Sequence, residues 1–412
     1  MKLRVDNIIK YFLIIIFLLE NSFFYIFNLP KFILKINNEY QKILIVSLIL
    51  FLIIIMHYSG KTYKYKFKKG ICFFIFIYFV EVIVSCIRYN QSIFDTILNS
   101  NYYLIILLYF PLLYFLRTSN NIKFLKNLFI YSTLILVILF IMQVYIFDFK
   151  FLNINFDKFR FGTLRILESS NIIVIGTIFS FFNFIQKGNS KVLNFITFLL
   201  GFFEIIFIQK SRMLIIILSS IFSLCLLYQN RKKKLKMIIM ILVTILFACM
   251  FINSKIGVEY LNSFDSEKVS VDVRKEAIHF YLDQTKDNFI LGTGFINVKN
   301  DNYDNYNEFK RQLLNGYENR YYKSDVGIVG LYNTWGISGV LLYIIFIIYS
   351  IKLILKYLSK KISNIDFSIV SIFLLIIFST FNSIYTDVYR IITLPLFLAI
   401  LEFFCDENKS LN

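Results

Sequence analysis

Five arginines stand out in this 412-residue chain for the chemistry they could do. Arg160 and Arg165 share the run Phe-Arg-Phe-Gly-Thr-Leu-Arg-Ile-Leu-Glu, which ends at Glu168. Arg212 follows Lys210-Ser211 at the start of an apolar run, Arg274 sits in a long polar stretch, and Arg390 precedes the last apolar run. A guanidinium offers a planar fork that grips phosphate through two parallel bonds and keeps its charge at any working pH. Together they would suit a ligand carrying a diphosphate. Each also has a plainer reading: Arg212 and Arg390 as headgroup anchors that snorkel, Arg165 with Glu168 as an ion-paired turn. Asp325, where a polar stretch gives way to an apolar one, suits a helix N-cap or a general base acting on a hydroxyl.

Other chemistries find little support. The five cysteines, at positions 72, 86, 225, 249 and 405, lie in or beside apolar runs without metal-ligand spacing, and the only histidines are His57 and His279. No metal centre, disulfide framework or cofactor is expected. The net charge of +18 would suggest nucleic acid in a soluble protein, but most lysines fall in short loops between apolar runs, where they report topology. Glu20, Glu81 and Glu204 lie within apolar runs, a costly placement that calls for partners, either one another or an arginine.

The elements that must position these residues are membrane helices. Hydrophobic residues make up 58% of the chain, in continuous rather than alternating runs. Since a bilayer core needs roughly 20 apolar residues per helix, the reading is an all-α polytopic membrane protein of about 12 spans. They are expected near 11–29, 43–58, 70–88, 101–116, 127–148, 171–186, 192–209, 212–228, 237–253, 335–355, 367–384 and 391–405. The first is expected to be retained as a span, and Pro111 to kink the fourth. Lys and Arg concentrate at one set of loop ends, for example Lys64, Lys66, Lys68 and Lys69, which places both termini in the cytoplasm and the long polar stretch 254–323 outside.

That arrangement gives three parts: spans in 1–253, an extracytoplasmic loop with its return to the membrane in 254–334, and the last spans in 335–412. Within the loop, apolar residues at 277, 278, 281 and 282 predict a helix over 271–286. Leu291-Gly-Thr-Gly-Phe295 predicts a tight turn, and a second helix is expected near 302–314. Gly327, Gly330, Gly336 and Gly339 would allow close helix contact. No ATP is available outside the cytoplasmic membrane, so chemistry there must use substrates that arrive activated.

At these residues the chain resembles the bacterial O-antigen polymerase/ligase superfamily, which includes Wzy-like polysaccharide polymerases and O-antigen ligases. Ser211-Arg212 at a span start resembles a family motif. Arg274 followed by Leu291-Gly292-Thr293-Gly294 resembles its loop pattern, and Asp325 before Trp335-Gly-Ile-Ser-Gly339 its return to the membrane. Ligases often carry a histidine there; Asp325 in its region favours the polymerase.

The resemblance implies a GT-C-like, metal-independent glycosyltransferase of the bacterial inner membrane, serving O-antigen, capsule or a related cell-surface glycan. Its donor would be an undecaprenyl-diphosphate-linked oligosaccharide, with a chain-length regulator and a flippase as candidate partners. It implies catalytic roles for Arg212 and Arg274 at the diphosphate and for Asp325 at the acceptor. Arg160, Arg165, Glu168, Gly292, Gly294 and Arg390 would bind substrate. The competing readings are a ligase with another acceptor, a lipid-linked oligosaccharide flippase or other transporter, and a membrane scaffold.

Overall fold

In the computed structural model, the residues described are 2–26, 39–59, 63–119, 121–147, 149–154, 159–160, 163–186, 190–229, 268–296, 323–359, 366–381 and 390–407. They are almost entirely helical. The chain begins with α1 (Lys2–Glu20), α2 (Glu39–Tyr58) and α3 (Lys68–Tyr89). A broken span follows: α4 (Ile93–Ser100), a 3-10 stretch Asn101–Leu108 and α5 (Tyr109–Ser119). Next come α6 (Ile122–Ile141), extended by a π-helical turn Met142–Ile146, then the short antiparallel pair β1 (Phe159–Arg160) and β2 (Thr163–Leu164). α7 (Ser170–Ile185), α8 (Lys191–Phe203) with a π-helical turn Glu204–Ile208, and α9 (Arg212–Gln229) complete the first part. The later elements are α10 (Lys268–Thr285), α11 (Ile328–Leu358), α12 (Phe367–Ser379) and α13 (Thr393–Glu407).

Six of the described helical segments are long and apolar enough to cross a membrane, and three shorter apolar helices accompany them. Burial is inverted relative to a soluble domain: Phe76, Ile83 and Ile87 on α3 and Ile345 and Ile348 on α11 are exposed. Those outward apolar faces are what a lipid solvent leaves uncovered. The expected span 237–253 and the expected helix 302–314 lie outside the described residues.

Three expectations are corrected. The first apolar run does not continue from 11 to 29 as one helix: α1 starts at Lys2 and stops at Glu20. Ser22, Phe23, Phe24 and Tyr25 all take positive φ, which no α-helix accommodates. The helix end is held from outside, because Gln41 Nε2 donates to the Leu19 carbonyl and Lys42 Nζ meets Glu20 at 2.6 and 2.7 Å. The fourth span begins before the expected 101, as α4 and the 3-10 stretch, and changes to α geometry at Tyr109, two residues before Pro111, so the proline lies beside a change of helix type. The return helix α11 starts at Ile328, before the expected 335, and is broken at Gly336 (φ 58°, ψ −158°).

The lysine-rich end is tied together by charge. Glu402 on α13 is fully buried; it accepts from the Arg117 guanidinium at 2.8 Å, from the Tyr109 hydroxyl and from the Lys66 backbone N–H at 2.9 Å. Asp406, one turn on, takes Lys66 Nζ at 2.7 Å and also Arg117. Tyr63 and Tyr65 lie against the guanidinium, 5.6 and 5.5 Å from ring centre to Cζ. This network fastens α13 to α5 and to the segment before α3. Breaking a buried pair by removing one partner costs about 3–5 kcal/mol, because the other charge stays buried. Arg117→Met should therefore lower the unfolding free energy of the detergent-solubilised protein by that order and shift its denaturation midpoint down; an unchanged midpoint would show that α13 is held by apolar packing alone.

Candidate functional site

The opposite end of the bundle gathers the ends of α1, α3, α6, α8 and α12 with the starts of α2, α4, α7, α9 and α11. Two groups of polar residues stand there.

The first is built around the turn between α8 and α9. Lys210 reverses the chain with φ 53°, as the short Lys210-Ser211 connection requires. Arg212 opens α9 and is only 8% exposed, which turns it into the protein rather than toward headgroups and sets aside the snorkelling reading. Arg165 donates from Nε to the Gln209 carbonyl at 2.8 Å. The Gln209 side chain receives Ser170 Oγ at 3.0 Å and donates to Glu204 Oε2 at 2.9 Å. Glu204 and Gln209 are fully buried, and Glu204 Oε1 meets no hydrogen-bond donor. Glu168 accepts the Leu167 N–H at 2.9 Å in the turn leading to α7, and the neighbouring Ser169 hydroxyl shares a hydrogen bond of 3.0 Å with Tyr25. Gln209 thus ties together Arg165, Ser170 and Glu204 beside the turn that leads to Arg212. Arg160 lies in β1, two residues before the strand that leads into Arg165.

The second group is the docked polar segment. α10 is a helix as its apolar spacing predicts, starting slightly earlier, and it packs Ala277 and Tyr281 against Val326 beside the start of α11. Gly336 breaks α11, so the carbonyls of Asn333 and Thr334 have no partner one turn on. The Gly-Thr-Gly turn supplies one: Thr293 N–H donates to Asn333 O at 2.7 Å, and Gly294 N–H to Thr334 O at 3.0 Å. In return Ile337 and Ser338, the first N–H donors after the break, bond Phe289 O and Ile290 O at 2.8 and 3.2 Å. The Asn333 side chain then donates to Tyr281 O and to Thr285 Oγ1, both at 3.1 Å.

Glycine is required at three points of this joint. Gly292 (φ 75°) approaches so closely that a Cβ would lie 2.5 Å from Gly336 N and 2.6 Å from Asn333 O. Gly294 (φ 73°) would drive a Cβ into Ser85 Oγ, and Gly336 into the Ile290 carbonyl. Gly292 and Gly294 are buried in this joint, so their direct role is to seat the segment. They contact α3 and α11.

α3 completes the seat with residues that the sequence did not single out. Arg88 Nη1 donates to Gly292 O at 2.7 Å, Tyr89 OH donates to Thr293 O, and Gln91 Nε2 reaches Phe295 O at 2.6 Å. Ser85 Oγ accepts the Phe295 N–H at 2.8 Å. Glu81 lies one turn below, fully buried, with neither carboxyl oxygen hydrogen-bonded. The aromatic rings of Phe295, Tyr78, Tyr103 and Trp335 pack together at the base, with Phe295 and Trp335 edge to face at 5.1 Å.

Among the remaining candidates, Arg274 is half-buried on α10, one turn before Ala277. Its side chain makes no hydrogen bond or ion pair to the described residues. Asp325 lies in the 3-10 turn Lys323–Val326 against the same helix. It does not cap α11: the N-cap is Gly327, without a side-chain cap bond, and Ile328 N–H goes instead to Thr380 O at 2.8 Å. The Asp325 carboxyl makes no hydrogen bond or ion pair to the described residues, and it lies on the element next to Arg274. Arg390 is half-buried just before α13. Among the described residues no arginine is hydrogen-bonded to Glu20, Glu81 or Glu204; Glu20 is taken by Lys42 and Glu204 by Gln209.

Lys323, two residues from Asp325, was not expected in the site. Its Nζ donates to Thr334 Oγ1 at 3.3 Å, and desolvation pushes its ammonium down to about 8. An amine of that kind exchanges a proton near neutral pH, where an ordinary lysine does not.

Two outcomes follow. Gly294→Ala should cost about 1–3 kcal/mol through backbone strain and overlap with Ser85, and should make 268–295 cleavable in limited proteolysis; equal resistance would contradict the joint. Because the folded protein binds the Lys323 proton less tightly than the unfolded chain, stability should rise with pH between about 8 and the ordinary lysine range. Lys323→Met should flatten that rise relative to wild type in denaturation midpoints taken across the same window; an identical slope would contradict it.

Residues 195–344, about a third of the chain, match the family model described as O-Antigen ligase. The match takes in Arg212, Arg274, the Gly-Thr-Gly turn, Asp325 and the broken start of α11. No curated protein matches the chain. Polytopic helices and this family together indicate a bacterial membrane protein with a glycosyltransferase-like activity of polymerase or ligase type. The match supports membership of the chain in the O-antigen polymerase/ligase superfamily.

Proposed function

We propose that the chain is a polysaccharide polymerase acting at the outer face of the bacterial cytoplasmic membrane. A hydroxyl of one undecaprenyl-diphosphate-linked repeat attacks the anomeric carbon of the glycan carried by another. The new glycosidic bond forms as the bond from anomeric carbon to diphosphate oxygen breaks. The hydroxyl proton passes to a base, and undecaprenyl diphosphate leaves with the electron pair. The growing chain thereby moves onto the incoming unit.

The observation that carries this reading is the family match over 195–344, which takes in Arg212, Arg274 and Asp325, with Arg274 and Asp325 on adjoining elements. Arg274 and Arg212 are assigned to the diphosphate, whose charge grows as the bond breaks. Preorganised cations at that point supply the largest share of a rate gain. Arg165, held by the Gln209 carbonyl, and Arg160 and Arg390 near the same end would extend the phosphate contacts. Asp325 is assigned to the acceptor hydroxyl, with Lys323 beside it as a second proton carrier. The docked segment would orient the sugars and reduce the freedom lost at the moment of reaction.

Ligase-type transfer to another acceptor uses the same donor chemistry. Purified protein given one synthetic lipid-linked repeat as the only glycan separates the two: a polymerase makes a ladder, a ligase no product. In cells, Arg274→Ala and Arg212→Ala at normal membrane levels should leave mainly single repeats, a loss of about 100-fold or more in polymer by the scale of removing one transition-state contact. Normal chain lengths in both variants would remove the site assignment, and repeats trapped inside the cell would point to a flippase.

A further inference from the structure

At the lysine-rich end, α6, α7 and α8 enclose a cavity of about 500 Å³ that the proposed reaction does not use. Its polar lining comes from Lys123, Lys126 and Asn127 on α6, Asn183 on α7 and Asn194 on α8. The two lysines differ. Lys126 is buried and committed: its ammonium pairs with Asp366 at the start of α12 and lies over the Phe179 ring at 5.7 Å. Lys123, at the mouth, is exposed and makes no hydrogen bond or ion pair to the described residues. With the Lys126–Asp366 charges cancelled, the cavity carries one net positive charge and several amide groups. That combination matches a single phosphate diester.

The walls decide where that phosphate comes from. Ile122, Ile130 and Leu193 also line the cavity. On either flank, Tyr131, Ile135 and Ile138 of α6 and Phe195, Ile196 and Leu199 of α8 are exposed large hydrophobic residues. A free anion has no use for such flanks, but acyl chains do. We propose that this cavity holds the headgroup of an anionic phospholipid from the leaflet at the lysine-rich end, its phosphate on Lys123 and the amides, its chains along α6 and α8. Basic pockets between membrane helices on the cytoplasmic side recognise anionic headgroups in this manner. The inference is independent of which glycan reaction the opposite end performs.

Native mass spectrometry of the full chain tests it, with the protein released from micelles holding equal phosphatidylglycerol and phosphatidylcholine. Wild type should retain phosphatidylglycerol in preference, and excess inorganic phosphate should not displace it. Lys123→Ala should lower the retained ratio about fivefold, the scale of one lysine at an anionic surface. Asn127→Leu should lower it as well, while Lys352→Ala, an exposed lysine on α11 outside the cavity, should not. Equal retention of the two lipids, the same ratio in both cavity variants as in wild type, or displacement by inorganic phosphate would overturn the proposal.

Discussion

A helix cannot break in a membrane protein without leaving backbone groups that something must satisfy. Gly336 creates that debt in α11, and the segment from Phe289 to Gly294 settles it with four backbone hydrogen bonds, two of them from the Gly-Thr-Gly turn. The rest of this end of the molecule follows from the exchange. The turn must come close enough for its N–H groups to reach Asn333 and Thr334, so Gly292 and Gly294 are glycines. It must be held from the other side, so Arg88, Tyr89 and Gln91 close over its carbonyls. Once the turn is seated, α10 has a fixed place against Val326, and Arg274 comes to lie on the element beside Asp325. A polar segment of this kind is thus built into the bundle rather than tethered above it.

Charge is distributed differently at the two ends. At the lysine-rich end Lys66, Arg117 and Lys126 are each bound to a carboxylate. At the other end Arg88 and Arg165 are spent on backbone carbonyls, which leaves their positive charge uncancelled by those bonds. Arg274 makes no bond to a described residue at all. Guanidinium groups gathered at one end suit an anionic ligand, and Glu204 and Glu81 are fully buried. Gln209 donates a hydrogen bond to Glu204.

Much of this was legible in the sequence because lipid imposes a simple rule. Continuous apolar runs can only be helices, so α2, α3, α6, α8 and α9 fall where composition predicts. The helix α10 was legible from its apolar spacing, and the tight turn at Lys210-Ser211 from the lack of residues between two runs. What escaped depends on contacts between distant segments. Arg88 and Gly292 are 204 residues apart, and nothing local marks Arg88 as more than a snorkelling cation. Gly336 reads as one of several small residues suited to close helix packing. Gly330 does approach another segment closely, the Lys323 backbone, while Gly336 and Gly327 take positive φ. Asp325 looked equally like a cap, and the adjacent Gly327 took that place. The early end of α1 was hidden because its stop comes from Gln41 and Lys42 on the next helix.

The whole reading requires the arginine-bearing end to face away from the cytosol. Single cysteines placed at Asp287, exposed after α10, and at Lys356, exposed at the far end of α11, test this directly with a membrane-impermeant maleimide in a background free of native cysteines. Labelling of Asp287→Cys in intact spheroplasts, with Lys356→Cys reacting only after lysis, is the predicted result. The reverse pattern would put the docked segment in the cytosol and contradict the mechanism at its base.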